Sequence, residues 1–358
     1  MEISQKNLYQ RQIILPEFGE KGQLKLSQAE IAIVGCGGLG NPVASYLAAS
    51  GIGTIHLIDF DKVDVSNLHR QVFFKTEDIG KPKAFVLANH LRMINPLINV
   101  IPKTLALNKE NAIKTLEAID LIVDCTDSLA TKYLLNDLAI LLDKPLIYGS
   151  LYKFDGYVAT FNLKTPEGNS ANLRDFFPEP PKDQIPNCAE VGTLNSIVGL
   201  IGLLQANEVI KVLGELGQPL INQLLVYNSL NNQQLKIKGE AKIDRKAIET
   251  LWNENQYVDF RCEVQLKEWL INKESFETKK EQFHVISVIE DPYLKLPFEV
   301  NETIPFHTFN PALIQLDSSK EYVLVCRKGI NSYSATSQLK AKYPHVKIFS
   351  LEKGIENF

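Results

Sequence analysis

The chain has 358 residues, 45% hydrophobic and 22% charged, enough for at least one large core and two or three domains. A formal net charge of -4 with scattered Lys and Arg excludes the basic face that nucleic acid requires. Met1 to Gln12 lacks a basic region leading into an apolar core, and the most apolar stretch, Ile197 to Ala206, is too short to span a bilayer, so a cytoplasmic protein off the membrane is expected.

In the first half, short β-branched runs alternate with longer amphipathic segments. Ile31 to Val34, Thr54 to Ile58, Asn99 to Thr104 and Leu121 to Val123 read as strands with helices between them, which predicts an α/β, Rossmann-like, doubly wound and mostly parallel sheet. After Pro145, Leu146 to Gly149 and Tyr157 to Leu163 look hairpin-like, and Thr165 to Asn187 is a Pro- and Asn-rich loop of about twenty residues, a length usually tied to function. A helix over Thr193 to Leu213 and strands at Gln223 to Tyr227 and Gln233 to Ile237 close an antiparallel extension, giving a first domain over 1–238. The polar stretch 239–256 reads as a linker or exposed helix. A smaller α/β domain over 257–358 follows, with a helix at Val264 to Asn272, strands at His284 to Ile289 and Tyr322 to Cys326, a helix at Ser332 to Lys342 and a strand at Val346 to Leu351.

Strand Ile31 to Val34 runs into Gly35-Cys36-Gly37-Gly38-Leu39-Gly40 and then a helical segment from Pro42. In such a loop the first glycine permits the tight turn, the second lets backbone approach phosphate, and the last lets helix pack on strand, while the helix start offers N–H groups to an anion. Asp59 ends the second strand, where an acidic residue can hydrogen-bond ribose hydroxyls. An adenine nucleotide is expected, although NAD-dependent dehydrogenases share this fingerprint.

Further motifs follow: Ile58-Asp59-Phe60-Asp61, Ser66-Asn67-Leu68-His69-Arg70-Gln71, Gly80-Lys81-Pro82-Lys83 and Asp124-Cys125-Thr126-Asp127, with Tyr9-Gln10-Arg11-Gln12 before the glycine loop. Together they resemble the ThiF/MoeB/HesA family of ubiquitin-activating-type adenylyltransferases over about the first 230 residues. The resemblance implies ATP and Mg2+ as cofactors and, as partner, a ubiquitin-like sulfur-carrier protein with a C-terminal Gly-Gly. A carboxylate attacking the α-phosphate of ATP gathers negative charge, which calls for cations and metal around the phosphates. Arg70 and Lys83 would be those cations and Asp127 the magnesium ligand. Asp61, Asn67 and Gln71 would sit near the nucleotide. Arg11 would reach the partner subunit's phosphates in a homodimer. Singly, Arg70 also suits a helix cap, Lys83 a solvated helix and Asp127 an N-cap for Leu129 onward.

Five cysteines form an odd set with no C-x-x-C pair. Cys188, in Cys188-Ala189-Glu190-Val191-Gly192, stands at the family's nucleophile position, which equally suits a small residue capping a helix. Cys36 and Cys125 read as packing residues. Cys326, in Cys326-Arg327-Lys328-Gly329, with the ending Leu351-Glu352-Lys353-Gly354-Ile355, resembles the sulfur-carrying loop of rhodanese-like domains. The usual I-D-V-R-E pattern is replaced by Ile286-Ser287-Val288-Ile289-Glu290. Many family members also hold a structural zinc on two C-x-x-C pairs. Here Asn172 and Asp175 stand at the first pair's spacing and the second pair is missing near Tyr227 to Lys238, so no zinc is expected. Two other readings stay open: an NAD-dependent oxidoreductase, and a catalytically silent protein that docks the carrier.

Overall fold

A computed structural model describes residues 4–180, 192–254, 257, 269–291, 294–327 and 329–358. The chain divides into two compact units, the second beginning at Asp259.

The first unit is built on an eight-stranded sheet: β1 (Glu30–Val34), β2 (Thr54–Ile58), β3 (Asn99–Lys103), β4 (Leu121–Asp124), β5 (Leu146–Tyr152), β6 (Asp155–Phe161), β7 (Gln223–Asn228) and β8 (Gln233–Lys238). Their order is β8-β7-β6-β5-β4-β1-β2-β3. The five strands from β3 to β5 are parallel, and β6, β7 and β8 pair antiparallel beside them. The sequence runs apolar throughout β1 because both faces of the sheet are covered. Ile31 and Ile33 enter one core with α1 (Gly19–Gln28), α2 (Gly40–Ser50), α3 (Lys83–Ile94) and α5 (Asn195–Gly214). Ala32 and Val34 enter a second core with α4 (Leu129–Leu141) on the opposite face. Each large side chain buried this way contributes about 1.5–3 kcal/mol.

Of the linker or exposed helix expected over 239–256, the helix is present: α6 (Arg245–Glu254) packs on α4 through the buried Ile248 and Trp252, because its apolar residues recur one turn apart. Helix α5, at 20 residues, is long and apolar enough by composition to cross a membrane, so the argument from its shortness fails. Its place in the core is fixed instead by burial of Ile197, Val198, Ile201, Ala206 and Val209.

The second unit holds a parallel sheet of β9 (Leu270–Ile271), β10 (Phe283–Ser287), β11 (Glu302–Thr303), β12 (Glu321–Val325) and β13 (Lys347–Leu351), in the order β9-β13-β12-β10-β11. Alternation again feeds two cores: Phe283, Val285, Val323 and Val325 point one way, and Ile286, Tyr322, Leu324 and Ile348 the other. Helices α7 (Lys273–Lys279) and α8 (Ile330–Lys342) complete it. Of the helix expected over Val264 to Asn272, residues 264–268 lie outside the described residues, and Leu270–Ile271 is strand.

Candidate active site

The glycine loop sits at the carboxyl ends of β1 and β4, where an open parallel sheet leaves a crevice. Gly35 takes φ +94°, a left-handed backbone that favours glycine, and the Gly35 N–H donates to the Ile58 carbonyl at 2.8 Å. Gly40 opens α2 so close to the strand that a Cβ there would stand 1.9 Å from the Gly35 oxygen. The start of α2 thereby comes against the loop, where the Asn41 N–H donates to the Gly37 carbonyl at 2.9 Å.

Asp59 does more than the sequence suggests. Its Oδ2 accepts the Cys36 N–H at 2.6 Å and its Oδ1 the Asp61 N–H at 2.7 Å, so the acid shapes the loop while each oxygen keeps further acceptor capacity. Burial pushes its carboxyl up to about 6, with Lys83 pulling the other way. Lys83 is the first residue of α3 and is buried, which removes the solvated-helix reading; its Nζ reaches Asp61 Oδ2 at 3.0 Å. Gln71 is buried with its amide nitrogen facing Gly37, and its Oε1 has no partner. A buried amide oxygen beside an open glycine cradle suits a ligand that brings a hydrogen-bond donor.

The stem of Arg70 lies against Gly38, while its guanidinium donates to the Ser66 carbonyl at 3.0 Å, so the capping alternative describes its present contact. Asn67 contacts Ser66 Oγ at 3.4 Å in the same turn. Asp127 is exposed just past β4, and the N-cap of α4 is Ser128, whose side chain accepts from Thr131, so Asp127 is not that cap. Arg11 is exposed on the turn Gln10–Ile13 and forms no ion pair among the described residues. Burial pushes both the Cys36 and Cys125 thiols well above their ordinary value, which makes them poor nucleophiles at neutral pH. Cys188 lies outside the described residues.

Asn41 and Lys132 also build this site. Asn41, fully buried, donates to the Cys36 carbonyl at 2.8 Å and accepts the Phe73 N–H at 3.1 Å, tying the Arg70 segment to the glycine loop. Lys132, buried on α4, donates to Asp124 Oδ2 at 3.0 Å and to the Gly149 carbonyl at 2.6 Å. Asp124 Oδ1 then holds both the N–H and hydroxyl of Thr126, which fixes the turn that leads to Asp127.

In the second unit, Cys326 follows β12 and is buried at the start of α8. Its Sγ accepts from the Gly329 N–H at 3.1 Å and from Ser332 Oγ at 3.3 Å, and Ser350 Oγ donates to Ser332 at 2.9 Å. The closing motif packs directly beneath: the Ile355 N–H donates to the Cys326 carbonyl at 3.1 Å, and a Cβ on Gly354 would lie 2.4 Å from that same oxygen. Glu290, in the segment that departs from the rhodanese pattern, pairs instead with His307.

A model of the ThiF family matches residues 9–247. The chain is 46% identical over 224 residues to the sulfur carrier protein adenylyltransferase of Thermus thermophilus, across 62% of this chain and 83% of that protein. It is 43% identical over 223 residues to the probable adenylyltransferase/sulfurtransferase MoeZ of Mycobacterium tuberculosis, across 62% of this chain but 57% of that relative's length. The adenylyltransferase and sulfurtransferase MOCS3 of Drosophila grimshawi matches at 33% over 380 residues, 97% of this chain and 82% of that protein. Among solved structures, E. coli MccB crystallised with ATP aligns with TM-score 0.58 and 25% identity, covering 66% of this chain and 73% of MccB.

Proposed function

Because the chain belongs to the ThiF family, we propose that it is a cytoplasmic adenylyltransferase that uses MgATP to activate the C-terminal Gly-Gly carboxylate of a ubiquitin-like sulfur carrier. One carboxylate oxygen bonds to the α-phosphorus, the bond to the bridging oxygen breaks, and pyrophosphate leaves. The observation that carries this reading is the glycine loop at the start of α2, backed by Asp59 and flanked by Gln71, whose buried amide oxygen has no partner. In it the Gly35 to Gly40 loop, with Gly37 and Gly38, holds the phosphates, and Asp59 holds the ribose. Lys83 exchanges part of its contact with Asp61 for phosphate oxygens, and Arg70 swings from Ser66 to do likewise. Asn67 and Gln71 contact the nucleotide from the same turn. Asp127 would hold the magnesium, which neutralises phosphate charge when bound.

Arg11 acts in trans in a homodimer, a role that its exposed position permits. In the second unit Cys326 carries a persulfide sulfur taken from an external persulfide donor; that sulfur bonds to the acyl carbon as AMP leaves, and the thiol of Cys188 then attacks the Cys326 sulfur, releasing the thiocarboxylate and leaving a disulfide between the two cysteines.

The test is ATP–pyrophosphate exchange with purified protein and Gly-Gly-terminated carriers. Carrier-dependent exchange is expected, reduced roughly 100- to 1,000-fold by Asp127→Ala and by Arg70→Ala, the scale of losing one transition-state charge contact. Nucleotide binding without exchange for any carrier would favour the silent docking reading, and binding of NAD in place of ATP the oxidoreductase reading. For the homodimer, mixing Arg11→Ala with Asp127→Ala protein should restore part of the exchange. If the mixture is no better than its parents, Arg11 does not act in trans.

A further inference from the structure

The family resemblance implies a zinc at the base of the loop that leads to Cys188, and the residues present do not fit one. Asn172 and Asp175, at the first ligand pair's spacing, spend their donor atoms on protein groups. Asn172 Oδ1 accepts the Arg174 N–H at 2.9 Å, and its Nδ2 donates to Asp175 Oδ2 at 2.7 Å. Asp175 Oδ2 also accepts the Asn172 N–H at 2.8 Å, and Oδ1 accepts the N–H groups of Lys242 and Ile243 at 2.9 and 3.0 Å. Four N–H donors thus surround one carboxylate, which is close to its full acceptor capacity. Its partners come from two segments 67 residues apart in sequence.

Behind this node lies a second one. Asp137 on α4 is fully buried and accepts both Nε and a terminal nitrogen of Arg174, each at 2.7 Å, together with the hydroxyl of Tyr257. Arg174 also donates to the Pro178 carbonyl at 2.9 Å, and Tyr133 to that of Phe177 at 2.9 Å. The tail runs so close to this loop that a Cβ on Gly239 would meet the Phe176 ring at 2.3 Å.

We propose that Asp175, supported by Asp137, is a metal-free staple that fastens Lys242, Ile243 and Tyr257 to residues 172–178. A carboxylate ringed by main-chain N–H groups joins two distant segments as a shared metal ion would, without depending on metal supply. Its failure would leave the adenylation reading untouched, since the readouts below involve neither ATP nor carrier.

Metal analysis and a melting curve with and without chelator come first, then hydrogen exchange on Asp175→Ala and on the milder Asp175→Asn. The expected result is substoichiometric metal, a chelator-insensitive melting temperature, and faster exchange at the Lys242 and Ile243 amides. Losing charge-assisted hydrogen bonds should accelerate those amides about ten- to a hundredfold in Asp175→Ala, and less in Asp175→Asn. One tightly held metal per chain whose removal lowers the melting temperature would overturn the proposal. So would unchanged exchange at both amides in both variants.

Discussion

In both units a buried parallel strand ends in a loop that turns into the start of a helix, yet the two loops treat the space they enclose differently. The first has glycine at four of its six positions, and it is held from outside by Asp59 and Asn41. The second fills its centre with its own sulfur, which takes hydrogen bonds from Gly329 and Ser332. A cradle left open by glycine is suited to a ligand that arrives and leaves. One already occupied by a thiol is suited to an anion, or a persulfide, that stays attached to the chain. The difference teaches that one piece of backbone design, a strand turning through a tight loop into a helix start, suits exchange in one unit and storage in the other.

Separating the two cradles should give the largest effect. Cys326→Ala should abolish persulfide formation on the second unit altogether while ATP–pyrophosphate exchange remains at the parental rate. Mass spectrometry of protein treated with a sulfur donor reads the first quantity. If exchange fell as well, the two loops would not be independent devices.

Next comes Gly40→Ala. The new Cβ would stand 1.9 Å from the Gly35 oxygen, a main-chain atom that cannot step aside as a flexible side chain would. Overpacking of this kind costs about 1–3 kcal/mol or more, and here the displaced atoms belong to the nucleotide cradle itself. Calorimetry should show nucleotide affinity falling by about a hundredfold, the equivalent of about 3 kcal/mol. Retained affinity would mean that α2 can slide away from the strand, and that the close approach is not what shapes the cradle.

The first cradle was legible in the sequence because its logic is local. Strand, glycine spacing, helix and a strand-end acid follow one another along the chain, and each residue type has one physical reason to be there. Asn41 and Lys132 were not legible for the opposite reason. Asn41 joins the glycine loop to Phe73, and Lys132 joins Asp124 to Gly149, partners brought together only by the order of the strands. The packing of the helix at 245–254 was not legible because its many charged residues mask the two, Ile248 and Trp252, that pin it down. Ser332 and Ser350 escaped notice likewise, as small polar residues whose meaning depends on which thiol they face.

The support of the first cradle also responds to pH. Asp59's folded carboxyl sits at about 6, above its ordinary 3.8. The folded state therefore holds this proton more tightly than the unfolded chain, and the stability this group contributes is present below 3.8 and lost as pH rises through about 6. Function asks for the opposite state, an ionised acid that can accept ribose hydroxyls. Nucleotide affinity should fall as pH drops from 7 towards 5, by about tenfold for each unit below the transition, as for loss of a single ionised group. Asp59→Asn should flatten the profile. A profile that keeps its shape in that variant would assign the titration to another group.

The smallest effect concerns a strain that only the second cradle bears. Lys353 adopts φ 60° and ψ 8°, a left-handed conformation, directly beneath the cysteine loop. Its backbone nitrogen lies where a Cβ on Gly329 would come within 2.9 Å, so the turn is held in place from above and cannot relax. A non-glycine residue in this region costs about 1–2 kcal/mol, part of which glycine would give back through its greater freedom in the unfolded chain. Lys353→Gly should therefore raise the stability of the second unit by about 0.5–1 kcal/mol in denaturant titration and leave the first unit's transition where it was. A loss of stability would show that the lysine side chain contributes more than its backbone costs.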